Sequence, residues 1–246
     1  MAGRIRVGIG GWVYEPWRGT FYPAGLRQKD ELAYVGEHLT ATEINATYYS
    51  SQKPATFAGW AKAVPDGFQF AVKASRYSTN RKRLAEAGES IAKFTHQGIA
   101  ELGDRLGPIL WQFMPTKRFD PEDFGAFLKL LPSSVDGVKL RHALEVRHES
   151  FDDPAFLAMA RDAGAAVVLA DHDSYPAIAG HDVGFTYMRL MQAQADEPTG
   201  YPPAAIADWA ERAKVASGRG KVFTFFISGA KERNPAAAQA MIVALQ

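Results

Sequence analysis

Glu43 stands two residues before Asn45, and Glu145 two residues before Arg147. In an extended chain that spacing puts both members of a pair on one face, while Ile44, Leu144 and Val146 take the other. A carboxylate sharing a face with an amide or a guanidinium offers what proton-transfer chemistry needs: an acid or base, and a neighbour that orients substrate or carries its charge. Comparable apolar runs end in Gly8 and Gly10, Lys73, Gln112, Asp171, Arg189 and Ser228. Glu43 and Glu145 are thus the candidate acid/base carboxylates, and Asn45 and Gln112 the groups that orient substrate. Lys73, Arg147 and Arg189 are the cations for a phosphate or carboxylate. Trp12, Tyr14, His148, Asp171 and Ser228 complete the expected lining. A competing reading keeps the residues and removes the chemistry: Glu43, Glu145 and Asp171 neutralise Lys73, Arg147 and Arg189 as a buried structural network.

For residues so far apart to meet, the elements carrying them must converge. Strand-like runs fall at Ile5–Ile9, Thr42–Asn45, Phe68–Lys73, Ile109–Gln112, Leu144–Arg147, Val167–Asp171, Phe185–Leu190 and Val222–Ile227. Helical patterns separate them: Lys29–His38, Thr56–Ala63 stopped by Pro65, and Ser90–Leu106 ending at Gly107. Asp120-Pro121, Asp153-Pro154 and Asn234-Pro235 open three more, as an N-cap acceptor followed by proline at the first helical position does. Strict alternation implies a parallel sheet, and eight repetitions imply closure into a single (β/α)8 TIM-type barrel over residues 1–246. Its C-terminal strand ends share one mouth. Helices cover the outside, so the charged parity of each strand faces inward.

Bulk properties exclude some classes. The chain has 246 residues, with 28 Lys and Arg against 27 Asp and Glu, so no global field draws it to polyanions or to an anionic membrane. No apolar stretch approaches the roughly 20 residues that span a bilayer, and a strand begins too early for a signal peptide. Zero cysteines rule out disulfides and thiolate chemistry and fit a cytoplasmic protein. Glycines 8, 10 and 11 lack the third glycine of a dinucleotide loop, where Val13 stands, so no Rossmann cofactor is expected. His148, Asp171, His172 and Asp173 join the glutamates as potential metal ligands. They have no metalloenzyme spacing, and Lys73 and Arg147 put positive charge where a cation would sit, so neither metal nor cofactor is expected.

Three loops are distinctive. Trp12, Tyr14, Trp17, Phe21 and Tyr22 follow the first strand, and Tyr48 and Tyr49 the second; their rings suit stacking on a sugar or base, or plugging the rim. The segment after Lys73 carries Arg76, Arg81, Lys82 and Arg83 around Tyr77 without an acid, a contact surface for single-stranded nucleic acid or an ordinary solvated loop. Ser228-Gly229 leads into the last helix start, where many barrels bind phosphate.

Whole motifs also carry a resemblance. Gly10-Gly11-Trp12-Val13-Tyr14, then Trp17, Gly19 and Phe21-Tyr22-Pro23, is similar to the N-terminal signature of domain-of-unknown-function family 72, the YecE-like proteins. So are Glu43-Ile44-Asn45-Ala46-Thr47-Tyr48-Tyr49, Phe70-Ala71-Val72-Lys73, Leu106-Gly107 with Leu110-Trp111-Gln112, Glu145-Val146-Arg147-His148 and Tyr187-Met188-Arg189-Leu190. The resemblance implies a TIM-type barrel and no established activity; the likeness of such barrels to endonuclease IV and sugar isomerases suggests nucleic-acid or sugar chemistry. Three places depart from the family pattern. Thr79-Asn80 stands for Thr-His, Arg189-Leu190-Met191-Gln192 for Arg-Leu-His-Gly, and Ile227-Ser228 for Asn-Asn. The expectation is a barrel whose mouth binds or transforms a small anionic, hydroxyl-bearing ligand containing sugar or phosphate. The alternatives are a nucleic-acid-binding protein or phosphodiesterase, and a binding barrel without turnover.

Overall fold

Apolar runs too short to bury both faces alone are covered here by neighbours on either side and by helices outside. The computed structural model describes residues 5–178 and 182–246. In chain order the strands are β1 (Ile5–Gly10), β2 (Ala41–Ile44), β3 (Gln69–Lys73), β4 (Leu106–Gln112), the hairpin strands β5 (Ser134–Val135) and β6 (Val138–Lys139), β7 (His142–Glu145), β8 (Ala166–Val167), β9 (Leu169–Asp171), β10 (Phe185–Leu190) and β11 (Lys221–Phe226). Apart from the antiparallel hairpin, every pairing is parallel, in the order β8-β7-β4-β3-β2-β1-β11-β10-β9.

The sheet ends, β8 and β9, are one chain segment. Its first half pairs with β7 and its second with β10, and the break falls at Val168, whose N–H donates to the Leu144 carbonyl at 3.0 Å. The expected sixth strand therefore exists in two pieces, and the barrel is nearly closed. Inside it Ala41, Ala71, Leu110, Ala143, Val168, Tyr187 and Phe225 form an apolar layer separate from the larger core between strands and helices. Small alanines against large rings fill this narrow lumen as side chains fill a barrel core.

The outer helices are α1 (Glu31–His38), α3 (Pro54–Lys62), α5 (Gly88–Thr95), α6 (Pro121–Lys129), α7 (Pro154–Asp162), α8 (Pro203–Ser217) and α9 (Asn234–Ala244), with short loop helices α2 (Ala46–Tyr49) and α4 (Arg76–Thr79). Asp120 accepts from the Glu122 and Asp123 amides at 3.0 and 3.2 Å, and Asp153 from the Ala155 amide at 2.7 Å, so both Asp-Pro starts cap as expected. Asn234 does not cap; its amide turns back to the Ser228 carbonyl at 3.3 Å.

The segment expected to be one helix over Ser90–Leu106 is two. Gly98 takes φ 109°, and a Cβ there would lie 2.6 Å from the Pro54 Cα. The helix stops at Thr95, a 3-10 stretch follows over Ile99–Arg105, and Gly107 lies inside β4 rather than ending a helix. Amphipathic spacing alone does not register such a backbone reversal.

Gly8 brings β1 against β2 so closely that a Cβ would fall 2.0 Å from the Ala41 carbonyl oxygen, whereas Gly59 in α3 has open space around it. Gly8→Ala should therefore destabilise the protein by about 1–3 kcal/mol or more, while Gly59→Ala should stabilise it by about 0.5–1 kcal/mol through helix propensity. Urea unfolding midpoints measure both, and equal midpoints would contradict the β1–β2 approach.

Candidate functional site

On β2, β3, β4, β7 and β10 the lumen layer gives way two residues further along to a charged or amide side chain. Glu43 follows Ala41, Lys73 follows Ala71, Gln112 follows Leu110, Glu145 follows Ala143 and Arg189 follows Tyr187, all on inward parity. Arg189 joins the ring. Its Nε and Nη2 donate to the two Glu43 oxygens at 3.1 and 3.0 Å, and its Nη1 donates to Glu145 Oε2. The Tyr187 hydroxyl donates to Glu43 Oε2 at 2.7 Å. The other Glu145 oxygen accepts from Gln112 Nε2 at 3.0 Å and from Arg147 Nε and Nη2 at 2.7 and 2.6 Å. Both carboxylates are 0 % exposed, and Arg189 is 2 % exposed.

Ions removed from water this completely persist only when their lone pairs and donors are met, as they are here. Burial acts to raise the Glu145 carboxyl, and the guanidiniums of Arg189 and Arg147 outweigh it, holding the group at about 2. Arg189 is raised above its ordinary value, because Glu145 and Glu43 together overcome a desolvation that acts to lower it. Burial, reinforced by Glu43, pushes the Tyr187 phenol well up, so it remains a hydrogen-bond donor. Lys73 goes the other way. Desolvation and the neighbouring Arg189 lower it to about 8, and its Nζ lies 4.3 Å from the centre of the Tyr48 ring.

Above this ring opens a cavity of about 580 Å³ lined by Trp12, Asn45, Lys73, Gln112, Arg147, Arg189, Ser228, Lys231 and Asn234. Nine of the twelve residues expected at the site therefore meet in two layers: Asn45, Lys73, Gln112, Arg147, Arg189, Trp12 and Ser228 around the cavity, Glu43 beneath with Glu145. Neither glutamate is among the lining residues; the two lie under the cations.

Three of the expected residues are placed elsewhere. Asp171 is in register with Leu190, not Arg189, and residues side by side in a parallel ladder share a face. The inward parity of this segment belongs to Val168, so the Asp171 carboxylate accepts instead from Gln192 Nε2 at 2.8 Å and from the Tyr201 hydroxyl at 3.0 Å. His148 caps a 3-10 turn, its Nδ1 accepting from the Ser150 amide at 3.1 Å. Tyr14 packs edge-on to Trp17 at 5.2 Å beneath the Lys231 ammonium. Among the described residues, no three of His, Cys, Asp and Glu group to hold a metal ion, and no helix is long and apolar enough to cross a membrane.

Sequence reading missed Tyr187, Lys231 and Asn234 as members of the site. Tyr187 was within reach of it, being two residues before Arg189 on the same parity. Lys231 and Asn234 carry no such signal; they reach the mouth because Ser228 and Gly229 both adopt left-handed backbone, φ 65° and 56°, which turns the chain after β11 back over the lumen. Asn234 is 1 % exposed, and its Oδ1 is buried without a hydrogen-bond partner among the described residues. The basic loop is only partly available. Arg81 donates to the Tyr77 carbonyl at 2.6 Å and to Ser90 Oγ at 2.9 Å, and Arg83 lies 3.7 Å from Glu86.

The sequence pattern of the family described as "Protein of unknown function DUF72" matches residues 6–246. The UPF0759 protein YunF of Bacillus subtilis (strain 168) is 26% identical over 157 residues, which is 62% of this chain and 54% of that protein, so the match spans about half the relative's length. A DUF72 family protein from Enterococcus faecalis V583 superposes with a TM-score of 0.76 at 20% identity, covering 98% of this chain and 95% of that one. One from Thermotoga maritima MSB8 gives 0.75 at 22% identity, covering 97% of both chains. SacUVDE shares the fold more distantly, at a TM-score of 0.61 and 10% identity over 98% of each chain.

Replacing Arg189 with Met strands two buried carboxylates, and stability should fall by about 3–5 kcal/mol at neutral pH, read as a lower urea midpoint. Glu145 adds a pH signature. Its folded carboxyl lies at about 2 against an ordinary 4.5, so the stability it contributes is present above about 4.5 and is lost as pH falls toward 2. The stability profile of a Glu145→Gln protein should be flatter than the wild type's across that window; identical slopes would count against the network.

Proposed function

This chain belongs to the DUF72 family, and we propose that its mouth binds a small anion bearing hydroxyl groups, a sugar- or phosphate-containing molecule. One observation carries the reading. Lys73, Arg147 and Arg189 border the cavity while the two carboxylates that partner them lie beneath, out of its lining. Three cations over two anions leave a surplus of positive charge, displayed on the open side only. Lys231 adds to it from the last loop. Guanidiniums held from below keep outward donors for a second, forked contact.

The amides supply the rest of the recognition. Asn45, Gln112 and Asn234 border the same cavity, and the unpartnered Asn234 Oδ1 is an acceptor that a ligand hydroxyl satisfies. In this reading Glu43 and Glu145 position the cations and do not themselves transfer protons. A carboxyl held at about 2 by two guanidiniums is a weak base, and its oxygens are already occupied.

A second reading has a specific observation behind it. Tyr49 and Tyr77 are exposed, and a groove of about 410 Å³ lined by Tyr49, Ser75, Tyr77, Arg81 and Lys93 adjoins the mouth through Tyr49. Open tyrosines beside Arg76 and Lys82 suit stacking of single-stranded nucleic acid, with a phosphate reaching the mouth.

Isothermal titration with inorganic phosphate and with a sugar phosphate tests the first reading. Arg147→Met should weaken binding at least tenfold, about 1.4 kcal/mol, while Arg189 and Gln112 still hold Glu145 in place. Affinity should also decline as pH rises through about 8, because Lys73 then loses the charge that attracts the anion. Absence of binding by either ligand would refute the reading. A paired Arg76→Ala and Lys82→Ala change should leave phosphate binding intact and weaken an oligonucleotide; an oligonucleotide that fails to bind at low salt removes the second reading.

A further inference from the structure

Two cations of the mouth, Lys73 and Lys231, have nitrogens with no hydrogen-bonding or ionic partner among the described residues, and Lys73 is the buried one. Arg189 and Arg147 are held by carboxylates, but Lys73 Nζ makes no hydrogen bond or ion pair; it rests on the face of Tyr48. The side chain is 9 % exposed and borders the cavity. Tyr48 is itself fixed, its hydroxyl oxygen accepting from Asn80 Nδ2 at 3.1 Å. A primary amine is therefore presented, dry and oriented, beside two guanidiniums that suit an anionic group.

We propose that Lys73 is the nucleophile of an imine-forming site that takes a small anion bearing an aldehyde or ketone, such as an oxoacid or a phosphorylated carbonyl compound. The proposal rests on the anion-binding reading above, which supplies the hold on the charged end. In the step, the neutral amine's lone pair attacks the carbonyl carbon, and the oxygen takes up a proton as the nitrogen gives one up, leaving a carbinolamine. That hydroxyl then leaves as water with a second proton, balanced by the nitrogen's remaining N–H proton, as the nitrogen lone pair forms the C=N bond. No oxidant or reductant is consumed, and one water is released.

The surroundings favour the neutral amine that this step needs. Burial and the charges of Arg189 and Arg147 act against protonation, whereas Glu43 and Glu145 favour it less strongly, and the lysine settles at about 8. Relative to an ordinary lysine at 10.5, that raises the neutral fraction at pH 7 on the order of a hundredfold. Desolvation and a neighbouring cation are the two established ways to activate a lysine toward carbonyls.

Glyoxylate, the smallest aldehyde with a carboxylate, is the probe. The protein is incubated with it and sodium cyanoborohydride, and carboxymethylation is mapped by peptide mass spectrometry. Lys73 should be modified at least tenfold faster than the exposed Lys29 and Lys62. Its rate should saturate with glyoxylate, be slowed by inorganic phosphate and by Arg147→Met, and rise with pH to a plateau whose midpoint lies near 8. A Lys73→Arg protein with a normal thermal transition should lack the fast site. Modification of Lys73 no faster than Lys29, with phosphate still raising the melting temperature, would overturn the nucleophile and leave the anion site standing. No modification together with no phosphate response would overturn both.

Discussion

Arg189 spans the lumen of the barrel and binds two carboxylates that come from β2 and β7, strands that are not neighbours in the sheet. Its position depends on the layer below. Ala41, Ala71 and Ala143 leave the space that Tyr187 and Phe225 fill, and the Tyr187 hydroxyl then meets Glu43 from beneath. A guanidinium in such surroundings cannot shed its proton, and with Arg147 it holds the Glu145 carboxyl in its ionised form. The rest of the mouth is built outward from that fixed charge.

The consequence is a vertical separation of charge. Carboxylates sit deep and cations shallow, so the network that neutralises itself internally still shows a positive face to the cavity. Lys73 feels both sides. Burial and the nearby Arg189 make it easy to discharge, and among the described residues no carboxylate bonds to it. The families of residues at the rim matter for the same reason. Asn80 donates to the Tyr48 hydroxyl and so orients the ring on which the ammonium rests. Gln192 serves Asp171 on the outer side of the ladder.

The aromatic loop after β1 is mostly a plug, with one edge on the cavity. Trp17 and Tyr22 are buried, and the Trp17 indole N–H donates to the Lys231 carbonyl at 3.0 Å, tying the first loop to the last. Lys231 lies over Tyr14 and Trp17 with its nitrogen 4.1 and 5.6 Å from the ring centres. Of the five aromatics of this loop Trp12 alone borders the cavity, packed edge-on against Trp60 at 5.1 Å. Aromatics here position a cation as much as they offer a surface.

By itself the sequence determined the repeating strand and helix order, the Asp-Pro helix starts, and which residues of β2, β3, β4, β7 and β10 point inward, because a two-residue period is a local property of an extended chain. That was enough to gather Glu43, Lys73, Gln112, Glu145, Arg147 and Arg189 at one end. Register and depth were not local. Pairing of Asp171 with Leu190 reversed the face expected for the sixth strand, and Gly98 broke a helix whose spacing looked continuous. Only the folded barrel decided that the glutamates lie below the cations. A carboxylate's role follows from which groups reach it across the lumen, and those contacts join residues up to 146 positions apart.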